Sequence, residues 1–295
     1  MSSFVIFADS VCDLTKELRN RWEIQYVPMN YVVDGVEYPA MLDWQSHSAK
    51  EFYNMMREGK RITTTQVPRE IYIERFSEYL KEGKDIVYIA CSSALSGSVN
   101  LATVIAKELQ EQYPENRVYC IDSLISSLGQ GGLAIIAARM REEGKSAKQT
   151  AEWLLENRLR MNQCGTCETL EYLRRAGRVK ASKAFFGNLF GVKPIIISDT
   201  KGQNYAYKKA KGNLNAKLAI AEHLAEQVEQ PEGQTLYISH ADAQEEAEKL
   251  RDIILQKVPF KDVQMNYIAP IVGSCVGPGT LISFCFGKEV TIQGE

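Results

Sequence analysis

The sequence has little of what membrane insertion, nucleic-acid binding or metal binding requires. Its longest uninterrupted apolar run, residues 133–138, is far shorter than the roughly 18 residues that a membrane-spanning helix needs. The 35 Lys and Arg residues are balanced by 37 Asp and Glu residues, so the net charge of −2 offers no general attraction for the phosphates of nucleic acid. Only three histidines are present, at positions 47, 223 and 240, and they are too scattered to predict a metal site.

Disulfide bonds and a secretory signal are also not expected. The seven cysteines are odd in number and lie mostly in apolar segments, which is typical of free buried thiols in a reducing compartment. The first residues carry no basic leader, and Asp9 ends their apolar run, so they predict a buried strand rather than a signal peptide. We therefore expect a cytoplasmic protein.

Motifs of the common catalytic classes are missing as well. The chain contains no GxSxG, HExxH or Walker A pattern. Cys164 and Cys167 form a CxxC motif, but a zinc site would need a second ligand pair and a redox pair would need a thioredoxin-like setting. We expect neither a metal nor a cofactor.

What is present is an alternation of strand-like and helix-like segments, with 45% hydrophobic residues to form a core. In the first half, buried strands are predicted at 4–8, 85–91 and 118–121, with helices between them, which favours a mostly parallel sheet with flanking helices. The first half also predicts a hairpin of strands 24–33 and 36–38, and a helix at 147–161 follows. The second half predicts helices at 168–175, 183–190, 214–229 and 243–257, a hairpin of strands 195–198 and 204–209, and strands at 236–239, 263–268 and 281–286, which favours a mixed sheet with helices. The fold class is therefore α/β, with two α/β domains at 1–155 and 156–295.

Small hydroxyl side chains are concentrated near two predicted helix starts. Thr63, Thr64 and Thr65 precede one helix, and a serine-rich turn at 92–98 follows a buried strand and opens another. Hydroxyls beside the free N–H groups of a helix start can hold an anionic head group without Arg or Lys. Helix capping explains each segment taken alone and is the commoner use of such residues, so both interpretations stay open.

Three further features each allow a functional and a purely structural interpretation. Asp9 and Asp13 flank a turn after the first strand, where they could bind Mg²⁺, act as acid and base, or simply form a turn and an N-cap. The glycines of segment 273–279 could bring backbone close to a ligand or form a tight loop. The basic clusters at 174–178 and 208–211 could be solvated surface or could face a phosphate-bearing partner.

Seven short motifs, taken together and in order, are similar to those of the DegV family of bacterial fatty-acid-binding proteins. They are Asp-Ser-Val-Cys-Asp-Leu at 9–14, Thr-Thr-Thr-Gln at 63–66, Ser-Ser-Ala-Leu-Ser-Gly-Ser at 92–98, Ile-Asp-Ser at 121–123 with Gly-Gln-Gly at 129–131, Leu-Glu-Tyr-Leu-Arg-Arg-Ala-Gly-Arg at 170–178, Lys-Pro at 193–194 and Gly-Pro-Gly at 277–279. The resemblance spans essentially the whole chain. It implies two α/β domains with a fatty acid between them, and a carrier that supplies this fatty acid to a separate kinase for acyl-phosphate formation.

The resemblance also implies which residues hold the fatty-acid carboxylate. Thr64 and Ser96 match the family's Thr and Ser, Thr65 replaces the Ser of its Thr-Ser-Gln motif, and Cys275 stands where the family has His. A thiol is a weak donor, so one carboxylate contact is expected to be lost or replaced. Residues expected near the pocket are Asp9, Ser10, Ser92, Ser93, Gly97, Ser123 and Gly277, and those expected to face a partner or phosphate are Arg175, Arg178 and Lys208.

Two classes of function therefore compete. The first is a non-catalytic carrier of a long-chain fatty acid, with a fatty acid kinase subunit as partner, a transient contact with membranes and no nucleic acid. The second is a small-molecule phosphotransfer enzyme of the related dihydroxyacetone-kinase-like architecture, using Asp9 and Asp13. The chemistry of that architecture relies on a His, and no His is near these residues in the sequence. A redox or metal protein built on the CxxC motif ranks third.

Overall fold

The structure, a computed structural model, describes residues 4–181, 185 and 191–294. A helix predicted at 183–190 lies almost entirely outside these residues. The strands are β1 (Val5–Asp9), β2 (Ile24–Val27), β3 (Asn30–Val33), β4 (Val36–Pro39), β5 (Ile62–Thr65), β6 (Ile86–Ala90), β7 (Val118–Asp122), β8 (Met161–Thr166), β9 (Val192–Ser198), β10 (Asn204–Lys211), β11 (Thr235–His240), β12 (Asp262–Tyr267) and β13 (Leu281–Phe286). The helices are α1 (Lys16–Arg21), α2 (Ala49–Arg57), α3 (Arg69–Leu80), α4 (Ser98–Gln112), α5 (Ser127–Glu142), α6 (Ala147–Asn157), α7 (Glu171–Ala176), α8 (Gly212–Gln227), α9 (Gln244–Lys257) and α10 (Pro270–Val276).

The N-terminal sheet is parallel, in the order β2-β1-β6-β7. Every residue of β1 and β6 is buried, as expected for the central strands of a sheet with both faces covered. The predicted α/β character of this half is confirmed. Its carboxyl edge, where β1 and β6 end at Asp9 and Ala90, is the edge at which open α/β sheets place ligands.

A second, antiparallel sheet of three strands, β4-β3-β5, was only partly foreseen. The sequence suggested one long strand at 24–33, but the strand breaks at Pro28, which has no N–H to donate to a neighbouring strand. Residues before the break join the parallel sheet, and residues after it form a hairpin with β4. Thr63, Thr64 and Thr65 lie on β5, which pairs with β3.

The C-terminal sheet is mixed, as predicted, and its strands have the order β10-β9-β8-β13-β11-β12. Strands β11 and β12 pair in parallel, and the other pairings between described strands are antiparallel. The helix predicted at 147–161 is shorter in the structure, because α6 ends at Asn157 and the CxxC segment is largely part of β8. Helices α8 and α9 cover one face of this sheet, around a core that includes Leu224, Ile238 and Leu250.

Helix α5 lies between the two large sheets and contacts strands of both. Its glycines allow this close packing. A Cβ at Gly131 would be 2.5 Å from the backbone oxygen of Cys12, and a Cβ at Gly132 would be 3.0 Å from Cε of Met161. The principal core therefore runs continuously from the parallel sheet to the inner face of the mixed sheet. Within the described ranges, no helix combines the length and apolar character needed to cross a membrane.

Candidate functional site

Two adjoining cavities bring together the residues on which the sequence resemblance depends. An inner cavity of about 250 Å³ is lined mainly by apolar side chains and by the hydroxyl-bearing segments. An outer cavity of about 200 Å³ is lined by several basic side chains. Thr64, Arg178 and Cys275 line both cavities and so form the neck between them.

Strand β5 positions the threonines of the neck. Thr64 and Thr65 both line the inner cavity, but successive residues of a strand point to opposite faces. The Thr65 hydroxyl donates a hydrogen bond to Oε1 of Glu37, 2.9 Å away. The Thr64 hydroxyl has no hydrogen-bond partner among the described residues, so it is the one available for a ligand.

A helix follows these threonines, as predicted, but the threonines themselves lie on strand β5 and none of them caps the helix. Helix α3 begins at Arg69, after Pro68, and receives no side-chain cap. Three consecutive β-branched threonines favour the strand in which they are found. Helix capping therefore does not explain them.

Ser96 lies in the turn between β6 and α4, and its position is compatible with both interpretations of the serine-rich segment, helix capping and ligand binding. Its Oγ accepts a hydrogen bond from the backbone N–H of Ser98 at 3.3 Å and donates one to Ser98 Oγ at 3.0 Å. It also lines the inner cavity beside Gly97. A Cβ at Gly97 would be 2.8 Å from Oε1 of Gln66, so this glycine leaves room for the Gln66 side chain at the cavity wall.

Cys275 is carried by α10, and the sequence had suggested a loop at this position. Pro270 begins this short helix, and Gly277, with φ of +81°, ends it. Burial raises the pKa of the Cys275 thiol, which is consequently neutral at physiological pH. Ser274 cannot simply replace it as a donor, because its hydroxyl is donated to the backbone oxygen of Ile271, 3.0 Å away.

The Gly-Pro-Gly motif lets α7 approach α10 closely. A Cβ at Gly277 would be 2.3 Å from Cδ2 of Tyr172, and a Cβ at Gly279 would be 2.7 Å from Cγ of Glu168. Gly277 therefore shapes the wall next to the cavities without lining them.

Arg178 brings positive charge to the neck. Its Nε donates to the backbone oxygen of Leu95 at 2.8 Å, and its Nη1 donates to that of Ala176 at 2.6 Å. These two bonds hold the guanidinium between the turn that carries Leu95 and the end of α7. The outer cavity adds Lys60, Arg61 and Arg175, so an anion in the neck would be in a positive field.

Asp9 is buried and lies outside both cavities. Its carboxylate accepts hydrogen bonds from the backbone N–H groups of Val11 and Cys91, and from the side chains of Tyr88 and Gln130. Burial raises its pKa, and these four bonds oppose that rise. Asp9 thus ties the ends of β1 and β6 to α5, which is a structural use of a buried carboxylate.

Asp13 is likewise committed to internal contacts. Its Oδ1 accepts from the backbone N–H of Ala269 at 2.8 Å, and its Oδ2 accepts from the Ser127 hydroxyl. Burial raises its pKa to about 7. The backbone oxygen of Asp13 also accepts from Asn266, 2.6 Å away. Asp13 therefore fixes the start of α10 against the end of β1.

The other residues expected near the pocket do not line either cavity. Ser10 accepts from the N–H of Met29, Ser92 accepts from that of Ala94, and Ser123 donates to the oxygen of Ile125. Ser93 lies on the surface at the same turn, and Lys208 lies on β10 with its Nζ 5.7 Å from the Tyr207 ring centre. The cavities thus bring together Thr64, Thr65, Ser96, Gly97, Cys275, Arg175 and Arg178, and leave out Asp9, Ser10, Ser92, Ser93, Ser123, Gly277 and Lys208.

The CxxC cysteines are free, buried thiols. Burial raises the pKa of both Cys164 and Cys167 to about 12, whereas a reactive thiol needs a lowered pKa. No cluster of three or more potential metal ligands occurs among the residues that the structure describes. These observations give the CxxC motif no chemical role.

Several cavity residues were not identified from the sequence. The apolar wall includes Val11, Met29, Leu95, Leu173, Ile271, Val272 and Val276, and Asn204 is a polar member contributed by β10. These residues come from distant segments and carry no local motif, so only the tertiary structure shows that they converge. A larger groove of about 730 Å³ lies beside edge strand β2, and it contains none of the predicted site residues.

Comparison with known proteins gives a consistent result. The sequence pattern of a family described as "Uncharacterised protein, DegV family" matches residues 3–287. A DegV domain-containing protein of Clostridium perfringens is 36% identical over 287 residues, which are 97% of this chain and 98% of that protein.

Two solved structures extend the comparison to the fold. A DegV family protein from Thermus thermophilus, described by its fatty-acid binding, superposes with a TM-score of 0.88 at 26% identity, covering 98% of this chain and all of that one. DegV from Bacillus subtilis, a fatty-acid-binding protein, gives a TM-score of 0.82 at 26% identity, covering 97% of this chain and all of that one. The full-length match of sequence and fold leaves one conclusion, that this chain belongs to the DegV family.

Proposed function

We propose that this protein binds one long-chain fatty acid between its two α/β halves, divided near residue 155, and presents the carboxylate to a separate kinase. The observation that carries the proposal is the pair of adjoining cavities, an apolar inner one and a basic outer one. They meet at Thr64, Arg178 and Cys275. An amphipathic anion matches this arrangement, because its chain and its head group need opposite surroundings.

The inner cavity suits the hydrocarbon chain. Aliphatic and sulfur-containing side chains from both halves of the molecule form a continuous part of its wall, beside polar residues that include Gln66, Ser126 and Asn204. Each CH₂ group transferred there from water contributes about 0.8 kcal/mol, so a long chain supplies most of the affinity. Fatty-acid binding by the Thermus and Bacillus relatives supports the same ligand class.

The neck suits the carboxylate. The Thr64 hydroxyl is unengaged, and Arg178 supplies a cation that can form a charge-assisted hydrogen bond. Ser96 offers a second hydroxyl, which would exchange its bond to the neutral Ser98 hydroxyl for one to the carboxylate. Cys275 contributes a neutral thiol, which is a weak donor but does not repel the carboxylate. Thr65 is the least suited of the matched residues because Glu37 already receives its hydroxyl hydrogen.

The outer cavity suits a phosphate-bearing partner. Arg175 stacks 4.9 Å above the Tyr172 ring centre and lines this cavity together with Lys60 and Arg61. A kinase that delivers a phosphoryl group to the carboxylate would meet this basic rim. In this proposal the chain itself performs no catalytic step and acts in the cytoplasm.

The alternative phosphotransfer role is less well supported. It requires Asp9 and Asp13 to bind Mg²⁺ or to exchange protons with a substrate, but their oxygens accept hydrogen bonds from the protein and neither residue lines the cavities. We therefore favour the carrier.

Titration with a fluorescent fatty acid tests the proposal. We expect one saturable site from which unlabelled palmitate displaces the probe, and weaker binding when Arg178 is replaced by Gln. The matched control is Arg174→Gln, because Arg174 pairs with Glu171 on the surface and does not line either cavity. Absence of saturable binding, or equal loss in both variants, would contradict the proposed site.

A further inference from the structure

A chain of amide side chains leads from the neck to a small cavity behind the inner one. Asn204 on β10 donates from Nδ2 to the backbone oxygen of Arg178, 3.0 Å away. Gln163 on β8 donates from Nε2 to Oδ1 of Asn204, also at 3.0 Å. Both residues are nearly inaccessible, with 4% of Gln163 and 8% of Asn204 exposed.

The direction of this chain is fixed at its start. The oxygen of Arg178 is a pure acceptor, so Asn204 must present its NH₂ group there and turn its own oxygen toward Gln163. Gln163 must then present its NH₂ group to Asn204. The group left at the end is the oxygen Oε1 of Gln163, which is buried and has no partner among the described residues.

Gln163 and Asn204 line a cavity of about 20 Å³ that adjoins the inner cavity through Leu173, Asn204 and Val276. Such a volume accommodates one group of the size of a water molecule or hydroxyl. Two other polar groups around it are already engaged: the Thr280 hydroxyl donates to the oxygen of Val276, and the Cys167 thiol donates to that of Thr169. The Thr166 hydroxyl also lines this cavity and is buried without a partner among the described residues, but the alternation along β8 directs it to the opposite face from Gln163, to which it makes no hydrogen bond.

A purely hydrocarbon ligand would leave the Gln163 oxygen without a donor, and a stranded buried acceptor is costly. We infer that the ligand of this protein is a fatty acid whose chain carries a hydroxyl group, and that this hydroxyl donates to Oε1 of Gln163. The inference rests on the proposed function and narrows its ligand class. The inference requires a hydrogen-bond donor on the ligand: a hydroxyl can donate to the oxygen, whereas an oxo group on the same carbon cannot.

Competition binding with the wild-type protein tests the inference. The ligands are octadecanoic acid and a panel of octadecanoic acids that carry one hydroxyl each, at successive positions along the chain. We expect one position at which the hydroxyl strengthens binding about five- to tenfold over octadecanoic acid. The corresponding oxo acid should bind no better than octadecanoic acid.

Two variants test whether the preference for a hydroxylated acid depends on Gln163. Gln163→Met removes the acceptor with little change of volume and should abolish most of the preference for the hydroxyl. Ile196→Val alters the wall of the same small cavity without removing a polar group, and should keep the preference. Thermal unfolding of each variant reports whether it is folded.

The outcomes separate this inference from the proposed function. If octadecanoic acid binds and no hydroxylated acid binds more tightly, a water molecule meets the Gln163 oxygen and the inference is wrong, while the carrier function stands. Equal preference for the hydroxyl and oxo acids would also overturn it. If none of the acids binds, the proposed function fails and the inference fails with it.

Discussion

Asp13, in the loop after the first strand, accepts a hydrogen bond from the backbone N–H of Ala269, 2.8 Å away, at the start of the helix that carries Cys275. Residues 256 positions apart are thus joined by a buried carboxyl group. Tyr53 makes a parallel connection, donating from its hydroxyl to the oxygen of Ile268 at 2.6 Å. The position of the helix that carries Cys275 therefore depends on the N-terminal half.

The Asp13 carboxyl predicts a pH dependence of stability. Its pKa is about 7 in the folded protein and 3.8 in the reference state, because burial disfavours the charged form. Between these values the folded state binds more protons than the unfolded state, so the contribution of Asp13 to stability is greatest below the reference value and falls as the pH rises through 7. We expect the Asp13 contribution to the free energy of unfolding to fall by on the order of 2–3 kcal/mol between pH 5 and pH 8.

Urea unfolding at a series of pH values measures this slope. Asp13→Asn keeps an oxygen for the Ala269 N–H and does not titrate, so its unfolding free energy should vary less with pH than that of the wild type. The same substitution at the exposed Asp252 provides the control and should leave the slope unchanged. A wild-type slope retained in Asp13→Asn would assign the pH dependence to another group.

Adjacent threonines on β5 should differ in their effect on binding. Thr64→Val removes a hydroxyl available to the carboxylate, so we expect fatty-acid affinity to fall by about 1–3 kcal/mol. Thr65→Val removes a hydroxyl that already donates to Glu37, and affinity should stay close to that of the wild type. Isothermal titration of the two variants compares the same chemical change at neighbouring positions, and the reverse order would place the carboxylate on the Thr65 side.

Cys275 is the clearest departure from the family motif. A His at this position would carry an imidazole into the neck between the cavities, and we expect the overpacking to weaken fatty-acid binding by about 1–3 kcal/mol. Cys275→Ala should change the affinity less, because a thiol is a weak donor. Tighter binding by Cys275→His would show instead that the carboxylate site has lost a contact that His restores, and equal affinity in all three proteins would remove Cys275 from the site.

Charge at the outer cavity should affect phosphorylation of the bound fatty acid by the kinase more than it affects fatty-acid affinity. Arg175→Glu reverses a charge on the rim, so acyl-phosphate formation with a DegV-associated fatty acid kinase should fall by about tenfold or more, at unchanged fatty-acid affinity. Lys208→Glu is the matched control, because Lys208 lies on β10 and does not line either cavity. Equal losses in both variants would point to a general charge effect rather than to a docking surface at the outer cavity.

The sequence predicted the α/β class and the central strands well because these elements have strong local signals. Strand β6 is a run of buried apolar residues, and α4 repeats its apolar positions at helical spacing. The prediction from sequence was wrong where a local signal was ambiguous. Pro28 divides an apparently continuous strand, and the threonines of β5 allowed an interpretation as helix caps because a helix follows them closely.

The site was predictable only in part, for a similar reason. Thr64, Ser96 and Cys275 are in short motifs, and the structure places all three on the inner cavity. Gln163 and Asn204 are in no motif, and their roles arise from a hydrogen bond between two strands that are separated by β9 in the sheet. Asp9 and Asp13 resembled an acidic ligand site in the sequence, but tertiary hydrogen bonds occupy their oxygens.

The most direct test of the central claim is mass spectrometry of the intact protein and of its extracted lipid after purification from several hosts. The account predicts a mass increment of one long-chain fatty acid per chain, lost on organic extraction and restored by added fatty acid. Protein that is ligand-free from every host, and that takes up no fatty acid when it is supplied, would contradict the account.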